Sequence, residues 1–161
     1  MLKTASCLLT PLEQTDYEDV KELFTCHEVR KYLGGVIETN QYERKFANML
    51  AANDEWNFTI RRRDNGAFVG LISLNEHQDG IGTEISYQLV QKQWKRGYAT
   101  EAVLKIIEFA TDTLDIQKLV AETQSANMSS CKLLERTGMS LVKKVTRFGA
   151  EQSIYSLIVS Q

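Results

Sequence analysis

The sequence predicts an α+β fold, a mixed and mostly antiparallel sheet of about seven strands flanked by about four helices, and three observations carry that expectation. A hairpin signal sits in mid-chain, a long helical period follows it, and a strand pair closes the chain. The resulting order, β-α-α-β-β-β-α-β-α-β-β, mixes hairpins with crossover helices, which a doubly wound parallel sheet does not do.

Leu8 to Leu12 is a short apolar run for the first strand. Thr15-Asp-Tyr-Glu18 fits a capping box, and Tyr17, Val20 and Phe24 then recur at helical spacing as far as Cys26. Gly34-Gly35 breaks the chain before a second helix, expected from about Asn40 with Glu43 three residues on and Tyr42, Phe46, Met49 and Leu50 along one side. Trp56, Phe58 and Ile60 alternate, Asp64-Asn65-Gly66 turns, and Phe68 to Leu74 is almost continuously apolar, as in a hairpin leading to a central strand. Ile81 to Val90 alternates again, with Ile85, Tyr87 and Leu89 on one face and Glu84, Ser86 and Gln88 on the other. From Arg96 the period becomes helical, with Ala99, Ala102, Val103, Ile106, Ile107 and Ala110 on one face. Ile116 to Glu122 reads as a buried strand, Asn127 to Thr137 as a short helix stopped by Gly138, and Leu141 to Arg147 with Ile154 to Val159 as the final pair.

The length fits one domain over 1–161, and the chain's one proline and lack of a Gly- or Ser-rich stretch leave no linker to divide it. A net charge of −2 excludes the broad positive field of a general nucleic-acid binder. No run of 18 apolar residues exists for a membrane span, and no signal peptide is evident at the N-terminus. Cys7, Cys26 and Cys131 are odd in number and lack C-x-x-C spacing, so a reducing, cytoplasmic location without disulfides is expected. His27 and His77 have no ligand spacing with acidic or thiol partners, and no metal is expected.

Chemistry concentrates in Gln93-Trp94-Lys95-Arg96-Gly97-Tyr98-Ala99-Thr100-Glu101-Ala102, a loop entering the strongest helix. A helix N-terminus offers unpaired N–H groups and positive potential, and a glycine there lets an anion approach the backbone. Lys92, Lys95 and Arg96 add three positive charges within five residues of a chain that is negative overall. Phosphate binding and an ordinary solvated turn are both consistent with this spacing alone.

The segment Trp94-x-x-Gly97-Tyr98-Ala99 resembles the acyl-CoA pyrophosphate motif of GNAT-family N-acetyltransferases, Gln/Arg-x-x-Gly-x-Gly/Ala, with Trp94 in the Gln/Arg position. Its continuation to Ala102 is similar to the branch that includes the ribosomal-protein N-terminal acetyltransferases. A second match, Asn127-x-x-Ser130 followed by Glu135-Arg136-Thr137-Gly138-Met139, resembles that branch's Asn-x-x-Ser and Glu-Lys-x-Gly-Phe segments, and Glu28 to Leu33 resembles its turn between the first helices.

The resemblance implies transfer of an acetyl group from acetyl-CoA to an amine, a protein N-terminus or a small amine, in a ternary complex. It implies a cofactor lying in a V-shaped opening between Ile81 to Val90 and Ile116 to Glu122. Pantetheine would pair with the end of the first of these strands, at Leu89 and Val90, and with Asn127, itself an N-cap by type and place. Lys95, Arg96, Gly97, Tyr98, Ala99 and Thr100 would cradle the pyrophosphate. An amine protonated at neutral pH must lose a proton before it attacks. Glu84, thirteen residues before Gly97, matches the position where several family members carry a catalytic carboxylate, with Glu76 as the rival base. Ser130 matches the serine that supplies a hydrogen bond to the departing thiolate, and Cys131 reads as a buried core thiol. The implied alternative is a non-catalytic acyl-CoA-binding or sensor module. Partners are then acetyl-CoA and an amine acceptor, with neither nucleic acid nor membrane. The chain is expected to be a monomer or a homodimer, with the apolar run Ile154 to Val159 as a possible dimer edge.

Overall fold

The computed structural model describes residues 1–159. Its described residues form eight strands and five helices in one α+β unit, the sheet running in the order β1-β2-β3-β4-β5-β6-β8-β7. The strands are β1 Leu2–Lys3, β2 Cys7–Pro11, β3 Trp56–Arg62, β4 Phe68–Glu76, β5 Thr83–Leu89, β6 Lys118–Gln124, β7 Ser140–Arg147 and β8 Ala150–Ile158. The helices are α1 Tyr17–Thr25, α2 His27–Arg30, α3 Thr39–Ala51, α4 Tyr98–Asp112 and α5 Met128–Arg136. All strand pairs are antiparallel except β5 with β6.

The expected seven strands and four helices become eight and five through two short elements. The two-residue β1 pairs with β2, and the single turn α2 follows α1 directly. Neither is long enough to set up a hydrophobic period. Both N-terminal caps also differ from expectation. The first capping box joins Glu13 to Asp16 rather than Thr15 to Glu18, and α3 is capped by Glu38 with Gln41 rather than from Asn40. Glutamate at the cap position is outside the Ser, Thr, Asp and Asn preference on which the sequence reading relied.

The final hairpin turns at Phe148 and Gly149, both with positive φ, so β8 begins four residues earlier than its apolar run. That hairpin also corrects the expected dimer edge. β8 lies between β6 and β7, so Ile154 and its neighbours are interior, and the sheet edge is β7 with Leu141 and Val142 exposed.

Strand alternation divides the core into two layers. On one face Ile72, Leu74, Ile85 and Leu89 pack against Val103 and Ile106 of α4 and Leu134 of α5. On the other, Phe68 and Leu71 meet Val20 and Phe24 of α1 and Tyr42 and Phe46 of α3. Gly70 sets the approach of β4 to β5, because a Cβ there would lie 2.3 Å from the Gln88 carbonyl oxygen and 2.9 Å from Leu89 Cα. Gly70→Ala must push β5 away; we expect a loss of about 2 kcal/mol, read as a melting-temperature drop of about 6 °C. An unchanged melting temperature would show that the strands yield without cost.

Candidate active site

β5 and β6 are paired only at Thr83–Leu119 and Glu84–Val120. Beyond Glu84 the two strands separate, and β6 continues to Gln124 bonded to β8 on its other side. The sheet therefore opens as a gap whose apex is Glu84.

The direction of β5's backbone groups follows from one bond. The Val90 N–H donates to Val69 O at 2.9 Å, so the Leu89 carbonyl of the same peptide points away from β4. Alternation then turns the N–H and C=O of Leu89 and Tyr87 toward the gap and those of Gln88 toward β4. Val90 is placed differently from Leu89. Its N–H is taken by Val69, its carbonyl accepts from the Gln93 N–H at 3.0 Å, and its side chain is buried among the α1 to α3 residues.

At the wide end of the gap the chain enters α4. Gly97 caps the helix with φ 85, and Lys95 also has positive φ, 62. Such backbone costs a non-glycine residue about 1–2 kcal/mol, and left-handed residues alternating with right-handed ones are the backbone pattern from which anion-binding concavities are built. The first intrahelical bond runs from the Glu101 N–H to Gly97 O, so the N–H groups of Tyr98, Ala99 and Thr100 precede the helical ladder. Open space above Gly97, with no heavy atom within 4 Å of a built Cβ, leaves room for a ligand. Lys95 and Arg96 are exposed beside it, and Arg136 of α5 reaches Thr100 Oγ1 at 3.4 Å.

Glu101 fixes this helix end to the N-terminal hairpin. Its carboxylate accepts from Thr4 Oγ1 at 2.6 Å, the Ser6 N–H at 2.9 Å and Ser6 Oγ at 2.9 Å. Burial alone would raise its pKa, but these bonds outweigh burial and hold it below the usual carboxylate range. Trp94, in the position where the resemblance has Gln or Arg, points back along the strand, and its indole N–H donates to Leu89 O at 2.9 Å.

Glu84 lies on the sheet face covered by α1 to α3, opposite in register to Asn75. Burial pushes its pKa upward; His77 and Arg147 oppose the shift, and the Glu122 carboxylate adds to it. Glu122 has the reverse balance. Burial would raise it, but hydrogen bonds from Arg147 (Nε to Oε2, 2.9 Å) and His77 outweigh that and keep it low. The Asp79 N–H donates to His77 Nδ1 at 3.1 Å, which leaves Nε2–H to donate to Glu122 Oε1 at 2.7 Å. Arg147 also grips Asp79 at 3.0 and 3.1 Å. Of the two candidate bases, only Glu84 stands at the apex on this face. Glu76, paired with Thr83, points to the opposite side of the sheet, where it is exposed and lines a separate cleft of about 510 Å³ with Trp56 and Lys118.

Ser130 sits in the first turn of α5, where the Asn127 side chain accepts from its N–H at 3.3 Å, and Asn127 is thereby engaged as the N-cap. Ser130 Oγ is 2.8 Å from the hydroxyl of Tyr87. That phenol was not among the sequence candidates; its position two residues before Leu89, on the apolar face of β5, was the available signal. Burial raises the Tyr87 pKa to about 12, against the Ser130 hydrogen bond, so the phenol stays protonated at working pH. Cys131 is buried in the core beside Leu134. The gap thus has a carboxylate on one sheet face and a pair of hydroxyls on the other.

Among the described residues no helix is long and apolar enough to cross a membrane, and no three His, Cys, Asp or Glu side chains gather as a metal set.

Known proteins share this architecture. An acetyltransferase of the GNAT family from Bacillus anthracis superposes with a TM-score of 0.87 at 21% identity, covering 98% of this chain and 97% of its own. A spermidine N-acetyltransferase from Vibrio cholerae, solved with CoA and spermine, gives 0.82 at 14% identity over 95% of each chain. In sequence, the uncharacterized N-acetyltransferase YnaD of Bacillus subtilis is 23% identical over 86% of this chain and 81% of its own length. The corresponding p20 protein of Bacillus licheniformis is 27% identical over 83% and 78%. Residues 7–140 match the profile of the acetyltransferase (GNAT) domain, and with that match spanning most of its length, the chain belongs to the GNAT acetyltransferase family.

Proposed function

We propose that the protein moves an acetyl group from acetyl-CoA to a primary amine, a protein N-terminus or a small amine, by direct attack in a ternary complex. The segments around Asn127-x-x-Ser130 and Glu135-Arg136-Thr137-Gly138 favour kinship with the ribosomal-protein N-terminal acetyltransferase branch. The observation that carries the activity is the gap beyond Glu84, with its acid and base groups on opposite faces.

The residues fit acetyl-CoA by the backbone of Tyr87 and the N–H of Leu89 turned to the gap, the clear space over Gly97 and the cations beside it. When bound, acetyl-CoA supplies an acetyl group activated as a thioester. Lys95, Arg96 and the N–H groups of Tyr98 to Thr100 hold the pyrophosphate. The backbone of Tyr87 and the Leu89 N–H hold the pantetheine arm by strand-like bonds, while the Leu89 carbonyl, the last outward one of β5, is taken by the Trp94 indole. Glu84 accepts the proton that the incoming amine must lose, directly or through a water. The Tyr87 hydroxyl donates to Ser130, which frees the serine proton for the departing sulfur.

Because the two hydroxyls act as one unit, removing either should cost the same. We expect Tyr87→Phe and Ser130→Ala each to lower kcat about tenfold with little change in the KM for acetyl-CoA, and the double variant to lose no more than either. Additive losses would mean that the hydroxyls act separately. The activity is tested by thiol release with a panel of amines, beside calorimetry with CoA. Thiol release that depends on amine supports the transferase. CoA binding with silence across the whole panel would favour the sensor module, for which the Trp94 indole on Leu89 O gives a footing.

A further inference from the structure

The face of the sheet that carries Glu84 is not wholly apolar. Asn57 of β3 and Ser73 of β4 also point to it, although the neighbouring positions on that face serve the α1 to α3 core. They are tied in a chain of bonds. Ser73 Oγ donates to Asn57 Oδ1 at 2.7 Å, and Asn57 Nδ2 donates to Glu55 Oε1 at 3.0 Å. Ser86 of β5 stands opposite Ser73, and Glu84 lies two residues along β5 on the same face. This polar strip runs from the apex of the gap to the far side of β3. With strands ~4.8 Å apart and ~6.6 Å per two residues, Asn57 lies ~12 Å from Glu84.

At its far end the strip meets a groove of about 630 Å³ lined by Gln41, Arg44, Lys45, Asn48 and Met49 of α3 and by Glu55. Arg44 and Lys45 have no ion-pair partner among the described residues, whereas Glu55 is already engaged by Asn57. The Lys45 ammonium instead lies 5.6 Å from the Phe24 ring centroid. At the catalytic end the sign is reversed, with the carboxyl groups of Asp79, Glu84 and Glu122 around one guanidinium, that of Arg147.

We infer that the acceptor is a primary amine carrying an anionic group ~12 Å or more from its nitrogen, the chemistry of a short peptide with a free carboxylate. Its amine meets Glu84, its backbone lies along the polar strip, and its carboxylate rests on Arg44 and Lys45. Four extended residues reach about 13 Å, which matches the strip. A polycation of the same length would set its far charge against those two cations. The inference rests on the transferase reading and adds the class of its acceptor.

The test compares a tetrapeptide bearing a free C-terminal carboxylate, the same peptide as its C-terminal amide, and spermidine, by thiol release from acetyl-CoA at low salt. For exposed cations we expect the carboxylate peptide to show a KM about fivefold lower than the amide, a gap that narrows as salt is added. In the double variant Arg44→Ala with Lys45→Ala the two peptides should become equal. Equal KM values in the native protein, or spermidine acetylated more efficiently than both peptides, would overturn the anionic subsite while leaving the transferase reading intact. No thiol release with any of the three or with the wider amine panel, despite CoA binding, would overturn both.

Discussion

Glu84→Gln is expected to lower kcat/KM about 100-fold at pH 7, the lower end of the contribution of a positioned general base. An alkylamine is almost wholly protonated at that pH, so the group that takes its proton sets the rate. Glu122, two residues beyond Glu84's register partner Val120, cannot take over, because Arg147 and His77 hold its carboxylate in the ionised, weakly basic form. Burial raises the Glu84 pKa above the ordinary 4.5, so the ionised base accumulates only at a higher pH than for an exposed carboxylate. The pH–rate profile of the native enzyme should rise through that displaced window, and the limb should vanish in the glutamine variant. A retained limb would assign the base elsewhere.

Stability separates this role from a structural one. A carboxyl group whose pKa is raised on folding binds its proton more tightly in the folded state. Its contribution to stability is therefore present at low pH and is lost as pH rises from the unfolded value through the folded one. At pH 7 the charge on Glu84 opposes folding, and the neutral glutamine should melt no lower than the native protein. A variant both inactive and unstable would make Glu84 a structural residue instead.

Gly97→Val should weaken acetyl-CoA binding by on the order of 50-fold, from two costs that add to about 2–3 kcal/mol. The native φ of 85 is a conformation that a β-branched residue adopts only under strain, and relaxing it rotates the N–H groups out of the concavity. The added methyls also fill the open space above the helix end. Acetyl-pantetheine, which lacks the phosphates, should bind native and variant proteins alike. If its affinity falls as far as that of acetyl-CoA, the substitution acts through general distortion and not through the cradle.

Much of this site could be read from the chain because it is local. The proposed cradle is one continuous segment feeding the most regular helical period in the sequence, and the αL cap at Gly97 is what a glycine before such a period provides. Strand alternation gave Glu84 its face, while its place at the gap came from the family resemblance. What could not be read joins distant segments. Tyr87 and Ser130 are 43 residues apart, and the network around Glu122 draws on the loop at His77 and Asp79 and on the β7 hairpin. Leu89 and Val90 alternate as strand neighbours, but which of the two turns its backbone groups to the gap is settled only by the bond to Val69. The edge of the sheet was misplaced for a related reason. Hydrophobicity identified β8 as a strand but not which of its sides is covered, and only the pairing with both β6 and β7 makes it interior.

Amide hydrogen exchange with and without CoA tests the central arrangement most directly, because it reads the backbone groups one by one. Slower exchange on binding is expected at Tyr87 and Leu89, which face the gap, and at Tyr98, Ala99 and Thr100 at the α4 N-terminus. Gln88 and Val90, already turned to β4, should not change. Protection of Gln88 and Val90 in place of Tyr87 and Leu89, or protection confined to residues outside the gap and the α4 N-terminus, would contradict it.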